Sequence, residues 1–395
     1  MLKLSGSATL AVSVGVLTYA GVACSKGSSR KVRLGVVGGN FGSQFFFHEH
    51  PNCEVTGVTD LRADRRGMLA QVYRCDTTYD SFEEMVEKAR DIDAVAIFSE
   101  PANHVKHTVM ALERGWHVLC ACPACETVEE AHQLEDAVKK SGLAYMQAES
   151  SWYRTGVIFA RNAFKEGALG EVFYTEAEYY HDRGSLEALN TNKQTRFWDP
   201  DGTPSWRRGY PPLGYPTHST GCLVGVTGER ITRVSALGWG QKHEFLADNR
   251  YDNRFWNECA LMETDQGHMF RCNVFWLVPG HGERAQWYGD KAGMWMANHG
   301  EHGDFMRQRM GGGQKALKLP KYYNSDMIPE PMRHPSHHGD SAVFITAEFI
   351  NAVVQQRTPE IDVYHSLAMV LPGIIGHQSA LRGGEQLKVP VFSPS

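Results

Sequence analysis

The sequence predicts an α/β protein: a doubly wound parallel sheet followed by an α+β domain with a large, mostly antiparallel open sheet. Two observations carry this. From residue 32 to about 149, short β-branched or apolar runs alternate with helix-length segments, the pattern of βαβ crossovers. Beyond a helical stretch at 154–165, the chain changes to longer alternating runs at 171–180, 231–239, 258–263, 268–278 and 283–289. The 395 residues suffice for two domains with substantial cores. The expected division is a leader and linker at 1–30, a parallel-sheet domain at 31–150 and an open-sheet domain at 151–395.

The first run, Val32 to Val37, ends in Gly38-Gly39-Asn40-Phe41-Gly42. A helix-length segment is expected next, then a second strand from Cys53 closing on Asp60. In a βαβ unit this order sets a pyrophosphate against backbone N–H groups and an acid against ribose hydroxyls, a Rossmann-like site. Asp60 favours NAD, while Arg62 and Arg65 leave NADP open. Residues 93–98 form the next strand, 104–114 a helix and 117–120 a strand. A helix at 127–141 opens with the capping pair Thr127 and Glu130, and 144–149 closes the unit. Strand ends hold ligands in such sheets, which nominates Ser99, Pro101, Asn103, His104, Ala121, Cys122 and Glu149 as further cofactor residues.

The Pro- and Gly-rich stretch 199–215 reads as a structured loop at a site, and 297–336 as a long excursion or lid. Residues 341–356 and 364–382 are expected to be helices packing back on the body, with His337-His338 in a solvated turn. Aromatic residues fall repeatedly among polar ones, at Tyr179-Tyr180, Trp206, Tyr210 and Tyr215, which suits a sugar-like ligand.

A net charge of −5 without a basic stripe argues against nucleic acid as a partner. Cys120, Cys122 and Cys125 lack the paired spacing of a structural zinc site and are expected to be packed thiols, so no metal is predicted. Residues 8–23 resemble a signal-peptide core, and Cys24 stands where a lipidated residue would follow cleavage. The expectation is an exported, lipid-anchored protein; a cytoplasmic one is the alternative.

With these elements placed, the chain after Lys31 resembles the Gfo/Idh/MocA oxidoreductases. Ala121-Cys122-Pro123 stands where that family carries Glu-Lys-Pro, its lysine lying by the nicotinamide. A thiol cannot supply that charge, although a low-pKa thiolate would act differently. Several strings resemble the NAD-dependent glycosidases of glycoside hydrolase family 109: Glu149-x-x-x-Tyr153-Arg154, Tyr179-Tyr180-His181-Asp182, Trp206-Arg207, Tyr215-Pro216-Thr217-His218, Ile361-Asp362-Val363-Tyr364 and Lys388-Val389-Pro390. The usual His-x-x-Asp becomes His218-Ser219-Thr220-Gly221. The resemblance implies an NAD(P)-dependent oxidoreductase, sheet-mediated homo-oligomers, and hydride transfer at a sugar ring carbon, C3. His218 would accept the hydroxyl proton, and Tyr179 would be a base at C2 if oxidation is followed by elimination. Tyr215, Arg207, Trp206, His181, Asp182 and Tyr153 would bind substrate. A net glycosidase is the first alternative, a catalytically impaired nucleotide-binding scaffold the second.

Overall fold

The computed structural model describes residues 30–240, 244–297, 302–309 and 313–394. The expected leader and Cys24 lie outside them.

Six parallel strands build the first sheet: β1 (Val32–Val37), β2 (Cys53–Thr59), β3 (Thr78–Tyr79), β4 (Ala94–Ile97), β5 (His117–Cys120) and β6 (Tyr145–Gln147). Their order is β3-β2-β1-β4-β5-β6, so the strand order reverses between β1 and β4. That reversal opens the crevice where ligands of such sheets bind. Leu34, Val36 and Ala94 to Ile97 are buried, because a sheet covered on both faces needs continuous apolar runs. Helix Val128–Ser141 starts as expected, with the Thr127 hydroxyl accepting from Glu130 N–H.

The segment after β1 departs from expectation. Only Gly39–Gly42 is helical, followed by a 3₁₀ turn at Phe47–Glu49. Aromatic packing shortens it. Phe45 stacks on Phe98 with ring centres 4.5 Å apart, and the backbone turns left-handed at Phe46 (φ 56°). The Tyr73 hydroxyl donates to Gly42 O, fastening the turn from beneath.

The second sheet contains β7 (Val172–His181), β8 (Ile231–Trp239), β9 (Asn257–Thr264), β10 (Met269–Phe275), β11 (His281–Gly289), β12 (Ala292–Trp295), β13 (Phe305–Gln308), β14 (Gln314–Ala316) and β15 (Leu387–Lys388). Its order is β14-β13-β12-β11-β7-β10-β9-β8-β15, antiparallel except where β10 runs parallel to β7. Part of the expected excursion at 297–336 is therefore sheet: β13 and β14 extend one edge. Helices Thr217–Thr227 and Val363–Leu381 pack on this sheet, and Val363–Leu381 also packs on Val128–Ser141 of the nucleotide domain.

At Gly38 the backbone has φ 101°, and a Cβ would come within 2.4 Å of the Phe98 carbonyl oxygen. Gly38→Ala is expected to cost about 1–3 kcal/mol, from the strained conformation alone. Equilibrium urea unfolding measures it, and an unchanged midpoint would contradict the assigned turn.

Candidate active site

Four segments from both sheets meet at one buried cluster. Glu149 follows β6, Ser151 and Arg154 lie on the linking turn, His218 sits in the first turn of helix Thr217–Thr227, and Glu283 comes from β11. His218 Nδ1 lies 2.7 Å from Glu149 Oε1 and 3.1 Å from Ser151 Oγ. Ser151 Oγ–H in turn donates to Glu283 Oε2 at 2.6 Å, so its lone pair is left for His218. Arg154 donates to both Glu283 oxygens, at 3.0 and 2.6 Å. This network assigns the Nδ1–H to the Glu149 side and leaves Nε2 as the nitrogen free to exchange a proton.

Burial alone would raise the Glu149 carboxyl, but the charge and hydrogen bond of His218 hold it down at about 2. Burial likewise opposes protonation of His218, yet Glu149, aided by Glu283, lifts it above 6.5. Glu149 was expected among the cofactor residues; at 0% exposure it lies instead beneath His218 as its partner.

The two departures from the family motifs converge here. Cys122 Sγ donates to Glu149 Oε2 at 3.1 Å. Burial, then the Glu149 charge, pushes this thiol well up, so it stays neutral and the thiolate alternative falls. At Gly221 an added Cβ would sit 3.5 Å from Glu149 Cγ, so an aspartate there would crowd a second carboxylate against Glu149.

Tyr179 leans on His218 with ring centres 4.7 Å apart, and Tyr215 flanks it at 5.2 Å. Behind Tyr179 stands His181. Its Nε2 faces Arg196 Nη2 at 2.5 Å and Arg183 Nη1 at 3.3 Å. Burial, with the charges of Arg183 and Arg196, holds His181 neutral, its pKa down at about 2. Since Nε2 faces cationic donors it must accept, so Nδ1 carries the hydrogen and donates to the Tyr179 oxygen. Burial still keeps the Tyr179 phenol up at about 12. Tyr179, His181, Trp206, Arg207 and Tyr215 line one cavity.

Two expected substrate residues lie elsewhere. Tyr153 is 2% exposed, stacks on Phe344 and donates to Glu360, making it a core residue. Asp182 is exposed and accepts from Gly184 N–H as a turn cap.

Among the cofactor candidates, Gly39, Asn40, Phe41 and Gly42 form the short turn at the β1–β4 crevice. Asp60 accepts from Gly39 N–H at 2.6 Å and from Arg62 N–H at 2.8 Å, bracing that turn. The Arg62 side chain points to Asp64, at 2.7 Å. Pro101, Asn103 and Ser99 lie at the end of β4, with Ser99 Oγ 3.0 Å from His107 Nδ1. His104, 1% exposed, bonds the carbonyls of Pro123 and Ser99 at 2.7 and 2.9 Å. It is a tie between two strand-end loops and not a surface contact. Ala121 is buried beside Cys122 at the end of β5. His337-His338 lie in an exposed turn, as expected, and that turn meets the nucleotide turn: His338 lies edge-on to Phe41 and 3.1 Å from Gln44 Oε1, and His337 stacks on Phe46. Burial and the charges of His218 and Arg154 lower His338 to about 4. The sequence reading missed Glu283, Ser151, Arg183 and Arg196, which carry no local motif, and gave Arg154 no role.

A dinucleotide fits this crevice. Side chains at Gly38 and Gly39 would meet the Phe98 and Arg65 carbonyls at 2.4 and 2.6 Å, so the backbone there stays bare for close approach. Residues 32–149 match the model of the oxidoreductase family with an NAD-binding Rossmann fold, Gfo/Idh/MocA. The chain is 22% identical over 430 residues to a glycosyl hydrolase family 109 protein of Solibacter usitatus, covering 95% of this chain and 93% of that one. It is 30% identical over 124 residues to the D-glucoside 3-dehydrogenase of Escherichia coli, covering 31% of this chain and 35% of that one. Among solved structures, levoglucosan dehydrogenase in complex with NADH shares the fold at a TM-score of 0.75 and 16% identity, over 92% of this chain and all of the other.

Because Glu149 raises His218, Glu149→Gln is expected to shift the His218 titration to lower pH. A base must be neutral to accept, so wild-type turnover should rise with pH through a midpoint above 6.5, and the variant's midpoint should fall. Imidazole NMR titration of His218 checks the sign without substrate; an unmoved midpoint would remove Glu149 from the pair.

Proposed function

We propose that the protein is an NAD-dependent oxidoreductase acting on a sugar or glycoside at a ring carbon, C3, with His218 as proton acceptor. The buried Glu149–His218 pair carries this reading. It replaces the missing lysine with a base packed against Tyr179 and Tyr215, two residues of an aromatic cavity wall. Bound NAD+ supplies the hydride acceptor. Nε2 of His218 takes the hydroxyl proton, Glu149 steadies the resulting imidazolium, and Ser151 holds the ring orientation. Tyr215 and Arg207 bind the sugar from the cavity wall, with Trp206 as an apolar face.

A second reading, net glycoside hydrolysis, is favoured by one observation. Tyr179 is a further acid–base group 4.7 Å from His218 between ring centres, backed by a histidine that donates to its oxygen. Simple alcohol oxidation needs only one base; elimination from an oxidised sugar needs a second one at C2. Relatives named as family 109 hydrolases over most of the chain support the same reading.

One assay separates the two. Nitrophenyl glycosides are supplied with NAD+, and NADH and nitrophenol are followed together. NADH accumulation without nitrophenol is the expected result. Nitrophenol without NADH accumulation would establish the hydrolase, with Tyr179→Phe then abolishing release. His218→Ala is expected to lower kcat/KM by ~10²–10⁴ in either case, with NAD affinity retained. Absence of both products with nucleotide still bound would leave only the scaffold reading.

Leu237, Trp239, Leu261 and Met269 are each at least 58% exposed, and the strand pairing places them on one face of the second sheet. We assign this face to contact with a second copy of the chain. Leu237→Lys with Leu261→Lys is expected to yield monomers in analytical ultracentrifugation, and an unchanged mass would refute the assignment.

A further inference from the structure

Three guanidinium groups enter the cavity, and simple sugar oxidation gives them too little to do. Arg183 follows the end of β7, and Arg196 and Arg207 come from the loop after it. Among the described residues, none of the three has a carboxylate within 4.0 Å. Other buried arginines of the same domain do: Arg154 pairs with Glu283 at 2.6 Å and Arg284 with Glu178 at 2.7 Å. Arg183 and Arg196 converge on a single ring nitrogen of His181, which has one lone pair for their several N–H donors. Arg183 otherwise lies over the Trp276 ring at 4.4 Å, and Arg207 over Trp206 at 4.2 Å.

We propose that the substrate carries an oxyanion substituent, a sugar carboxylate or sulfate ester, held by Arg183, Arg196 and Arg207. This rests on the reading of the cavity as a sugar site. Like charges gathered in a partly desolvated cavity repel unless an anion joins them. Burial and the neighbouring Arg196 lower Arg183 to about 9 and Arg207 to about 10, the mark of cations lacking a counter-charge. Glu100 favours the charged form of Arg207 but forms no ion pair with it. Planar guanidinium forks match carboxylate and sulfate oxygens in pairs, where neutral hydroxyls use one donor each. Trp276 and Trp206, also in the cavity wall, carry the Arg183 and Arg207 guanidinium groups over their rings.

Calorimetric titration with NAD present tests this. Methyl glucuronides and galacturonides are compared with the methyl glucosides and galactosides, and N-acetylglucosamine 6-sulfate with N-acetylglucosamine. At least one acidic sugar is expected to bind ~10-fold or more tightly than its neutral counterpart, a difference of about 1.4 kcal/mol. The arm that responds, uronide or sulfate, identifies the anion. That preference should shrink as salt rises, and the ratio of acidic to neutral affinity should fall toward unity in Arg207→Gln. The salt series on wild-type protein keeps the test valid should the variant misfold. Equal affinity for acidic and neutral sugars would overturn the proposal, as would failure of every acidic sugar to bind. Turnover of neutral glycosides in those cases would leave the oxidoreductase reading standing, so the two fail separately.

Discussion

The buried pair of Glu149 and His218, with Ser151, Arg154 and Glu283 around it, is the interaction on which the rest of the site depends. Glu149 ends the nucleotide domain's last strand, and Glu283 belongs to the second sheet. His218 and Arg154 bridge them. Two carboxylates and two cations in a shielded volume stabilise one another only in a narrow range of geometries, because each loses hydration that its partners must replace. The cluster therefore ties the nucleotide sheet to the second sheet and leaves Nε2 of His218 outside its hydrogen bonds.

That arrangement explains why the motif substitutions belong together. A neutral thiol at Cys122 removes the cation that the resemblance led one to expect near Glu149. Gly221 removes the carboxylate that would have crowded it. Glu149 is thereby left with His218 as its main counter-charge, and the histidine's basicity rises. Losses that separately suggest an impaired enzyme together describe a site whose positive charge has moved from a lysine to a histidine.

A second chain of polar contacts runs from Arg183 and Arg196 through His181 to Tyr179. It joins the cavity's cationic end to its acid–base end. A hydrogen bond donated by the neutral His181 stabilises the Tyr179 phenolate and so eases loss of its proton, although burial still keeps the phenol up at about 12. Charge on a bound substrate at the arginines would act on Tyr179 through His181.

Local pattern was sufficient for most elements. The apolar runs of β1 and β4, the Thr127 cap and the edges of β8 are set by residues adjacent in sequence, and the sequence alone determined them. It also determined the nucleotide domain and most of the cavity's aromatic wall, since these rest on strings such as Gly38-Gly39 and Tyr215-Pro216-Thr217-His218. Only the tertiary structure decided what each polar group does. The helix after Gly42 stopped short because Phe98, distant in sequence, packs against Phe45. His337-His338 stay in an exposed turn, yet their rings meet Phe46 and Phe41, contacts that no local pattern announces. Tyr153 went to the core and Glu149 to His218, whose partners lie 207 and 69 residues away. Hydrogen-bond partners at such separations leave no periodic trace, and a carboxylate's role follows from the charge that folding brings beside it.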